Sequence, residues 1–486
     1  MNYAFYIIIL LAVICVIFLP LAIIRRLKYN YFSQIAIRNS LKHDNHFFCS
    51  YVIQQAIKLS IKKKDYQLSE LLLSGKTKKA ASAIKSKDEL SAIVLDAFQN
   101  IKSASSKLEK FIKKNPKNQL ATAYLAMIYH GSKNIKKQAA WDNITENKLP
   151  DYFRAQYRMH IANIALKNGD LEFASQNFYL SAKLFNRRKA YYEEANVYLL
   201  LGTTYRICFI FDIAESLFRS ALKIFTILKF DEECAKVYAN MGMLMVAQER
   251  FEEADLFFQK ALSYINTKKH VTTIAEIFNQ QALMFIIQKK YKEAEIILKE
   301  SYNLNSKQKN INGIAFSLEL KANSLWKRKK FISAAKNAQR ASALYQKIEN
   351  ISGMLESMYL QAQALFCCAK DIEAEDILRQ IIEKGKENSG CFHLANAYNL
   401  LGIIFVKRND LRRAKGLFQQ SLNLEQRGCR CSAIATDYAN IGFIEMRHGN
   451  KDMAQKNLQL ALDFAKQAED DELYSLINCH IKNINN

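Results

Sequence analysis

Small residues recur every forty positions between residues 155 and 474. Eight units follow one another without an insertion or deletion, and one position in them holds Ala162, Gly202, Gly242, Ala282, Ala322, Ala362, Gly402 and Gly442. Twelve positions further on, every unit has alanine: Ala174, Ala214, Ala254, Ala294, Ala334, Ala374, Ala414 and Ala454. Four residues later a large apolar residue usually follows, with Ala338 as the exception. Spacings of three and four lie on one helical stripe, so each unit is predicted to be two amphipathic helices joined by a short polar turn.

The small residues predict close contacts between the paired helices. A side chain no larger than a methyl group lets two helix backbones approach, and the neighbouring large residue fills the space between them. One helix pair cannot bury its apolar face alone, so such units stack and their ends need caps. We therefore expect an all-α solenoid, with eight units in residues 155–474 and a capping helix in residues 475–486.

One unit closely resembles the tetratricopeptide repeat (TPR) family. The residues that match the family's order of aromatic, Leu-Gly, aromatic, Ala, Phe and Ala are Tyr198, Leu201, Gly202, Tyr205, Ala214, Phe218 and Ala221. The usual unit of that family has about 34 residues, whereas this one has forty. The resemblance implies a right-handed superhelical α-solenoid of antiparallel helix pairs. It says nothing about catalysis.

The N-terminus contains an apolar run from Tyr3 to Ile24 without a charged side chain. Its twenty-two residues are enough to cross a bilayer as a helix. No basic segment precedes the run and no small-x-small site follows it, although a cleaved signal peptide would need both. Residues 1–24 are therefore predicted to be a retained transmembrane anchor, so that residues 3–24 hold the chain to a membrane.

Basic residues flank this run on its C-terminal side only, at Arg25, Arg26 and Lys28. Positive flanks favour the cytoplasmic side of a membrane. Ten cysteines without framework spacing agree with a reducing compartment. The sequence thus predicts a single-pass protein of the plasma or inner membrane with its solenoid in the cytoplasm. The opposite orientation stays open, because one charged flank is a modest signal.

Positive charge is concentrated close to the apolar run. Residues 25–150 carry 24 Lys+Arg against 9 Asp+Glu, a net charge of +15 out of +24 for the whole chain. The basic juxtamembrane segment, residues 25–49, and the lysines up to residue 64 would be attracted to anionic lipid headgroups. The same composition also fits a lysine-rich genome. Nucleic-acid binding is a weaker interpretation, because no basic groove with interleaved stacking aromatics is visible.

Residues 50–154 show helical patterns in an irregular register. Asn115-Pro116 suits a helix boundary, because the residue before proline is pushed out of the helical conformation. A divergent repeat is predicted after it, around Leu120, Tyr124, Ala126 and Tyr129. This region is interpreted as a degenerate extension of the solenoid.

Motifs of catalysis are absent from the sequence: it has no Gly-rich phosphate loop, no nucleophile elbow and no histidine pair at metal spacing. The nearest approach to a metal site is the set Cys391, His393, Cys429 and Cys431. Cys391 and Cys431 would lie on neighbouring helices about 10 Å apart, which is too far for zinc. The sequence predicts no enzyme, no metal and no cofactor.

The TPR resemblance implies a ligand surface along the concave face formed by the first helix of each unit. The register places mostly polar and aromatic residues there: Asn240, Asn279, Gln280, Asn323, Trp326, Lys327, Tyr359, Gln363, Asn396, Asn399, Lys407, Asn440 and Arg447. Amides can pair with the N–H and C=O of an extended peptide, and Trp326 and Tyr359 could anchor its side chains. Alternatively, the asparagines are common fillers and Trp326 packs locally.

Together these patterns predict a membrane-anchored scaffold or adaptor that binds partner proteins or extended peptide segments. Two alternatives remain at this stage. One is an envelope-assembly factor with its solenoid on the non-cytoplasmic side, and the other is a basic rod that binds lipid headgroups or nucleic acid.

Overall fold

The computed structural model describes residues 90, 93, 101–130, 144–167, 170–266, 269–387, 391–427, 430–468 and 470–485. The predicted anchor, residues 1–24, and the basic segment, residues 25–49, lie outside these ranges. Within the described ranges, no helix is both long and apolar enough to cross a membrane. The anchor therefore stays a prediction from the sequence.

Helices make up the described secondary structure. The first six are α1 (Ile101–Lys114), α2 (Gln119–His130), α3 (Asp151–Lys167), α4 (Leu171–Arg187), α5 (Tyr191–Ile207) and α6 (Phe211–Leu228). The next six are α7 (Asp231–Ala247), α8 (Phe251–Ser263), α9 (Val271–Ile287), α10 (Tyr291–Lys307), α11 (Ile311–Lys327) and α12 (Phe331–Lys347). The last seven are α13 (Ile351–Cys367), α14 (Asp371–Glu387), α15 (Cys391–Lys407), α16 (Leu411–Arg427), α17 (Cys431–Arg447), α18 (Lys451–Gln467) and α19 (Asp471–Asn485).

A turn with a left-handed residue ends most of these helices, and its position recurs every twenty residues. Lys289, Lys309, Lys329, Glu349 and Ala369 all have φ between 53° and 62°. The N–H of the following residue then donates to the carbonyl five positions back, as the N–H of residue 290 does to the carbonyl of residue 285 at 2.8 Å. This is the hydrogen-bond pattern of a Schellman motif, which satisfies the last carbonyls of a helix. Each forty-residue unit is therefore two modules of twenty.

The chain divides into two compact units. The first comprises Met1–His160, Phe178–Tyr198 and Ser220–Phe230, and the second comprises Ile161–Asn177, Leu199–Arg219 and Asp231–Asn486. In the first unit, the rings of Tyr152 and Phe185 pack edge to face at 5.4 Å. The Tyr152 hydroxyl donates to Glu193 Oε1 at 3.0 Å. This contact gives the buried phenol a partner where an unpaired hydroxyl would be costly.

The predicted boundary at Asn115-Pro116 matches the end of α1 at Lys114. The residues of the predicted divergent repeat lie on α2. In that helix Ala126 is fully buried. Helix α2 thus has an inward-facing small residue, as the longer repeats do.

In the second unit, consecutive helices pack as pairs from α7 to α18, and each pair packs on the next. The first helices also contact one another directly, α7 with α9, α9 with α11, α11 with α13, and α13 with α15. We call the set α7, α9, α11, α13, α15 and α17 the first-helix row. This arrangement confirms the prediction of an all-helical chain of consecutive helix pairs.

Close approach of paired helices explains the small residue in each first helix. A Cβ atom added to Gly402 would lie 2.7 Å from Cε1 of Phe418, inside van der Waals contact. Gly242 faces Phe258 in the same way at 2.9 Å. The aromatic ring thus occupies the space that the missing side chain leaves, as the spacing predicts.

The exceptional unit, in which Ala338 replaces the large residue, is packed differently. Ala322 and Ala338 are both fully buried, and the Trp326 side chain packs against them together with Leu360. Because an unfilled space of this size would destabilise the fold, the indole ring supplies the volume that a phenylalanine supplies elsewhere.

Helix α19 covers the last pair. Its Ile477 is fully buried in a cluster with Ala435, Leu458 and Leu462. The helix begins at Asp471, four residues before the predicted start of the cap at residue 475. The reason is local, since the Asp470 side chain accepts a hydrogen bond from the Leu473 N–H at 3.0 Å and so caps the first turn.

Candidate functional site

The thirteen predicted site residues all lie on the first-helix row, within α7, α9, α11, α13, α15 and α17. Most of them are half-buried, while Lys327, Lys407 and Arg447 are exposed. Asn279 differs, because only 1% of its surface is accessible. The row therefore collects the predicted residues, but their neighbours give them different roles.

Some of the asparagines join neighbouring units rather than facing solvent. The Ser317 hydroxyl donates to Asn279 Oδ1 at 3.1 Å, which links α9 to α11. The Asn399 amide donates to Asp437 Oδ1 at 2.6 Å, which links α15 to α17. Asn279 and Asn399 therefore hold adjacent units together, and Asn279 is too deeply buried to meet a partner.

The same register carries an equivalent contact in which the acceptor is a carboxylate. Between α11 and α13, the Ser357 hydroxyl donates to Glu319 Oε2 at 3.0 Å. Each of these three contacts joins the ninth residue of one first helix to the seventh residue of the next. We call this series of side-chain contacts the polar ladder. Its signal in the sequence is a polar residue at the seventh position, where Val237 and Ile277 stand in other units.

A second series of contacts lies near the start of the first helices. The Thr273 hydroxyl and the His270 ring both contact the Glu232 carboxylate, at 2.6 Å and 3.1 Å. Burial raises the pKa of Glu232, but the Thr273 hydrogen bond and the charges of Lys236 and His270 outweigh it and lower the pKa overall. This junction is held by an ionised carboxylate, unlike the neutral amide contact at Asn279.

The Trp326 side chain packs within its own unit and against the next one, rather than forming an open anchor site. Its ring fills the space beside Ala338 described above, and its Nε1 atom is buried without a hydrogen-bond acceptor. The Lys327 ammonium lies 5.7 Å from the ring centroid, within the range of a cation–π contact. The local-packing alternative is thus the one this geometry favours for Trp326.

Tyr359 and Gln363 form a pair on α13. The Gln363 amide donates to the Tyr359 hydroxyl at 3.1 Å. Burial, with a smaller contribution from the Glu356 charge, raises the pKa of Tyr359 to about 12. The phenol is therefore neutral near pH 7 and keeps an O–H that can donate.

Only part of the predicted positive charge on the row is available. The Lys407 ammonium is 2.7 Å from Asp371 Oδ2 and lies over the Phe366 ring at 5.4 Å. Arg447 is exposed and forms no ion pair with any described residue. The row is consequently not a uniformly basic surface.

Three carboxyl groups with raised pKa values, buried at Glu425 and Asp437 and half-buried at Glu319, were not predicted from the sequence. Burial raises the pKa of Glu319 and of Glu425 to about 7, and that of Asp437 to about 6. The Arg430 guanidinium lies 3.2 Å from Glu425 Oε1 and opposes the shift there. The register could have indicated Asp437, since it is the charged member of a position that holds serine or an apolar residue in the neighbouring units.

Several amides on the first-helix row have a donor or an acceptor that forms no hydrogen bond with a described residue. Asn323 and Asn396 are half-buried and form no side-chain hydrogen bond with any described residue. Gln280 Oε1 and Asn440 Nδ2 are buried without a partner. Such groups can donate to and accept from a peptide backbone that lies along the row.

The described residues contain no group of three or more His, Cys, Asp or Glu side chains arranged to hold a metal ion. Cys391 begins α15 and Cys431 begins α17, and Cys429 lies outside the described ranges. The described residues of this set are thus divided between two first helices, with Cys391 and His393 on α15 and Cys431 on α17.

Among solved structures, this chain is similar to several helical-repeat proteins. A Rap protein in complex with the competence and sporulation factor is 12% identical, covers 82% of this chain and 97% of its own, and has a TM-score of 0.46. A signal transduction ATPase with a tetratricopeptide repeat sensor from Pyrococcus horikoshii is 11% identical over 87% of this chain and 74% of that one, with a TM-score of 0.43. BtubC from P. vanneervenii is 15% identical over 48% and 92%, with a TM-score of 0.39. At these values none of them assigns a function.

No protein-family model and no curated protein matches the sequence.

Proposed function

We propose that this chain is a scaffold that binds partner proteins or extended peptide segments along the first-helix row. The observation that carries the proposal is the pair of half-buried amides at Asn323 and Asn396, which form no hydrogen bond with a described residue and lie on helices of the row that pack in succession, α11 on α13 and α13 on α15. Amides held in place lose little freedom on binding, so their hydrogen bonds contribute more to affinity than those of mobile side chains.

The test uses the full chain and a peptide library displayed on phage. Peptides selected by the wild-type chain are measured against the variant Asn323→Ala/Asn396→Ala/Arg447→Ala by fluorescence anisotropy. The matched control is Asn303→Ala/Gln380→Ala/Lys456→Ala, which removes two amides and one cation from exposed positions of second helices. We expect a loss of affinity of about tenfold or more in the first variant, equivalent to roughly 1.4 kcal/mol.

Unchanged helicity, measured by circular dichroism, is required of both variants. Equal affinity of the two variants for every selected peptide would contradict the use of this row, and failure to select any peptide would contradict the scaffold function itself.

We also propose that residues 3–24 anchor the chain in a membrane with the repeats in the cytoplasm. The uncharged run and the basic flank at Arg25, Arg26 and Lys28 support this part of the proposal. A reporter that is active only in the cytoplasm, fused after Asn486, should be active. If that reporter is inactive, and a second reporter that is active only in the periplasm gives a signal at the same position, the result would favour the alternative of an envelope-assembly factor. Release of the chain into the soluble fraction without removal of residues 3–24 would contradict the anchor.

A further inference from the structure

One groove of the second unit is lined by different types of residue from the equivalent groove further along the chain. It lies between the second helices α10 and α12, above the intervening first helix α11, and encloses a cavity of about 330 Å³. That volume is at the lower end of the range for small-molecule pockets, roughly 300 to 1,000 Å³. The predicted site residues do not line it.

Polar residues of α11 line this cavity at positions that are apolar in several other units. Lys321 stands where Leu401 and Ile441 are buried, and Ser324 stands where Ile404 and Ile444 are buried. A serine in place of isoleucine leaves unfilled volume, and a lysine brings a charge to the edge of that volume. The departure from the register is therefore what makes this groove polar.

Three exposed cations line the cavity. Lys299, Lys321 and Arg340 all line it, and none of them forms an ion pair with a described residue. A fourth cation at the rim, Arg328, is paired with Glu295 at 3.2 Å. The groove therefore has an excess of unpaired positive charge.

Hydroxyl groups complete the polar lining. Ser324 is only 4% exposed, yet its hydroxyl forms no hydrogen bond with a described residue. Tyr302 is half-buried and its hydroxyl is also unused. Leu298, Leu318 and Leu325 form the apolar part of the wall. Cations and hydroxyl donors beside an apolar wall match a ligand that has an anionic head and an apolar body.

The equivalent groove eighty residues further along the chain provides an internal comparison. There Leu401 lines the groove in place of Lys321, and Gln420 stands in place of Arg340. The counterpart of Lys299 is Arg379, whose guanidinium lies 2.7 Å from Glu375 Oε1. The later groove lies between the equivalent helices α14 and α16 and encloses a larger cavity of about 490 Å³, but the described residues give it no comparable set of unpaired cations.

We propose that the cavity between α10 and α12 binds a small organic phosphate monoester, with Lys299, Lys321 and Arg340 around the phosphate and the leucine wall against the organic group. Phosphate carries up to two negative charges and three acceptor oxygens near pH 7, which suits three cations and two hydroxyl donors. None of the thirteen predicted site residues lines this site, and the proposal does not depend on the scaffold function.

Phenyl phosphate is the probe for the test, with inorganic phosphate and phenol as its two halves. Titration of the full chain is followed by isothermal calorimetry and by the melting temperature. Phenyl phosphate should bind and raise the melting temperature, inorganic phosphate should bind at least several-fold more weakly, and phenol should not bind. An absence of binding by phenyl phosphate at millimolar concentration would overturn the proposal.

The variant Lys321→Leu/Ser324→Leu tests the location. It introduces apolar residues like those at the same positions of other units and fills the cavity, so it should fold and melt at or above the temperature of the wild type. Its affinity for phenyl phosphate should fall at least tenfold. The control Lys466→Ala removes one exposed charge from α18 and should bind as the wild type does. Equal affinity of wild type and Lys321→Leu/Ser324→Leu would place binding elsewhere and overturn the assignment.

Discussion

The turn residues with positive φ determine where most of the described helices end. All but one of those described are not glycine, so they adopt a left-handed conformation that costs an L-residue roughly 1 to 2 kcal/mol. Gly449 is the exception, with φ of 78° and no atom within 4 Å of a built Cβ. The twenty-residue module therefore persists despite a backbone penalty in most turns.

Exchanging glycine and alanine between two such turns should shift stability in opposite directions. Ala369→Gly relieves left-handed strain at φ of 59° and should stabilise the chain by about 0.5 to 1 kcal/mol after the entropy cost of glycine. Gly449→Ala should destabilise it by a similar amount. Urea unfolding of both variants, followed by circular dichroism, measures the two shifts. Shifts of the same sign would show that the turn conformation is not the cause.

Three carboxyl groups with raised pKa values should make stability depend on pH. The folded pKa of Glu319 and Glu425 is about 7 and that of Asp437 about 6, whereas unfolded carboxyl groups titrate near 4. The folded state therefore binds more protons between about pH 4 and pH 7, and the contribution of these groups to stability falls as the pH rises through that window.

We expect the variant Glu319→Gln/Glu425→Gln/Asp437→Asn to lose less stability than the wild type between pH 5 and pH 8. The measurement is the melting temperature at both pH values. Glu375→Gln is the control, because the hydrogen bonds and charges of Arg379 and Arg408 outweigh burial and lower the pKa of Glu375, so that this group stays ionised from pH 5 to pH 8 and its removal should leave the loss over that range unchanged. A steeper loss in the triple variant would refute this account of burial.

At the scale of helices, the pairing of a small and a large residue sets the distance between partners. Gly402→Ala would place Cβ 2.7 Å from the Phe418 ring and should cost about 1 to 3 kcal/mol. Gly416→Ala is the matched control on the partner helix, where no atom lies within 4 Å. It should stabilise by about 0.5 to 1 kcal/mol, because alanine favours helix more than glycine does. Thermal unfolding of both variants measures the difference.

The second substitution Phe418→Leu should restore most of what Gly402→Ala loses. Other units already pair alanine with leucine, as Ala282 does with Leu298. The double-mutant cycle should therefore give a favourable coupling of at least about 1 kcal/mol. Simple addition of the two single effects would mean that the ring and the methyl group do not compete for one space.

The sequence predicts the helix pairs and their buried faces well, but it predicts the polar contacts between helices poorly. Spacings of three, four and forty determine which side of each helix is buried, and Ala174 or Gly402 fits that rule directly. Trp326 fills a space that only the three-dimensional neighbours Ala322 and Ala338 define. The pairing of Asn399 with Asp437 depends on the offset between adjacent helices, which no single-helix pattern contains.

At the scale of the whole molecule, packing in the second unit runs from each helix pair to the next. Stability in such an arrangement is local, and the end units depend on their caps. Ile477 is fully buried on α19, whereas its neighbour Leu476 is 56% exposed. Substitutions at these two adjacent residues of α19 thus distinguish the loss of buried cap packing from a change on the exposed surface.

Ile477→Ser should loosen the C-terminal end alone. Hydrogen exchange should accelerate by at least tenfold in α17 and α18, which α19 contacts directly. It should stay unchanged in α7 and α8, because local unfolding at the C-terminal end does not require those helices to open. Leu476→Ser should leave exchange in both regions unchanged. Equal acceleration along the chain would show that the stack unfolds as one cooperative body.

The polar ladder restricts how the units can be ordered. Glu319 faces the Ser357 hydroxyl, and Asp437 faces the Asn399 amide, so each carboxyl group meets a donor. Excising residues 351–430 would keep the forty-residue register but would set Glu319 opposite Asp437, two acceptors without a donor between them. The chain is therefore comparable to a copolymer of defined sequence rather than a homopolymer of one unit. Reordering its repeats would bring mismatched polar side chains together even where the backbone geometry permits the new order.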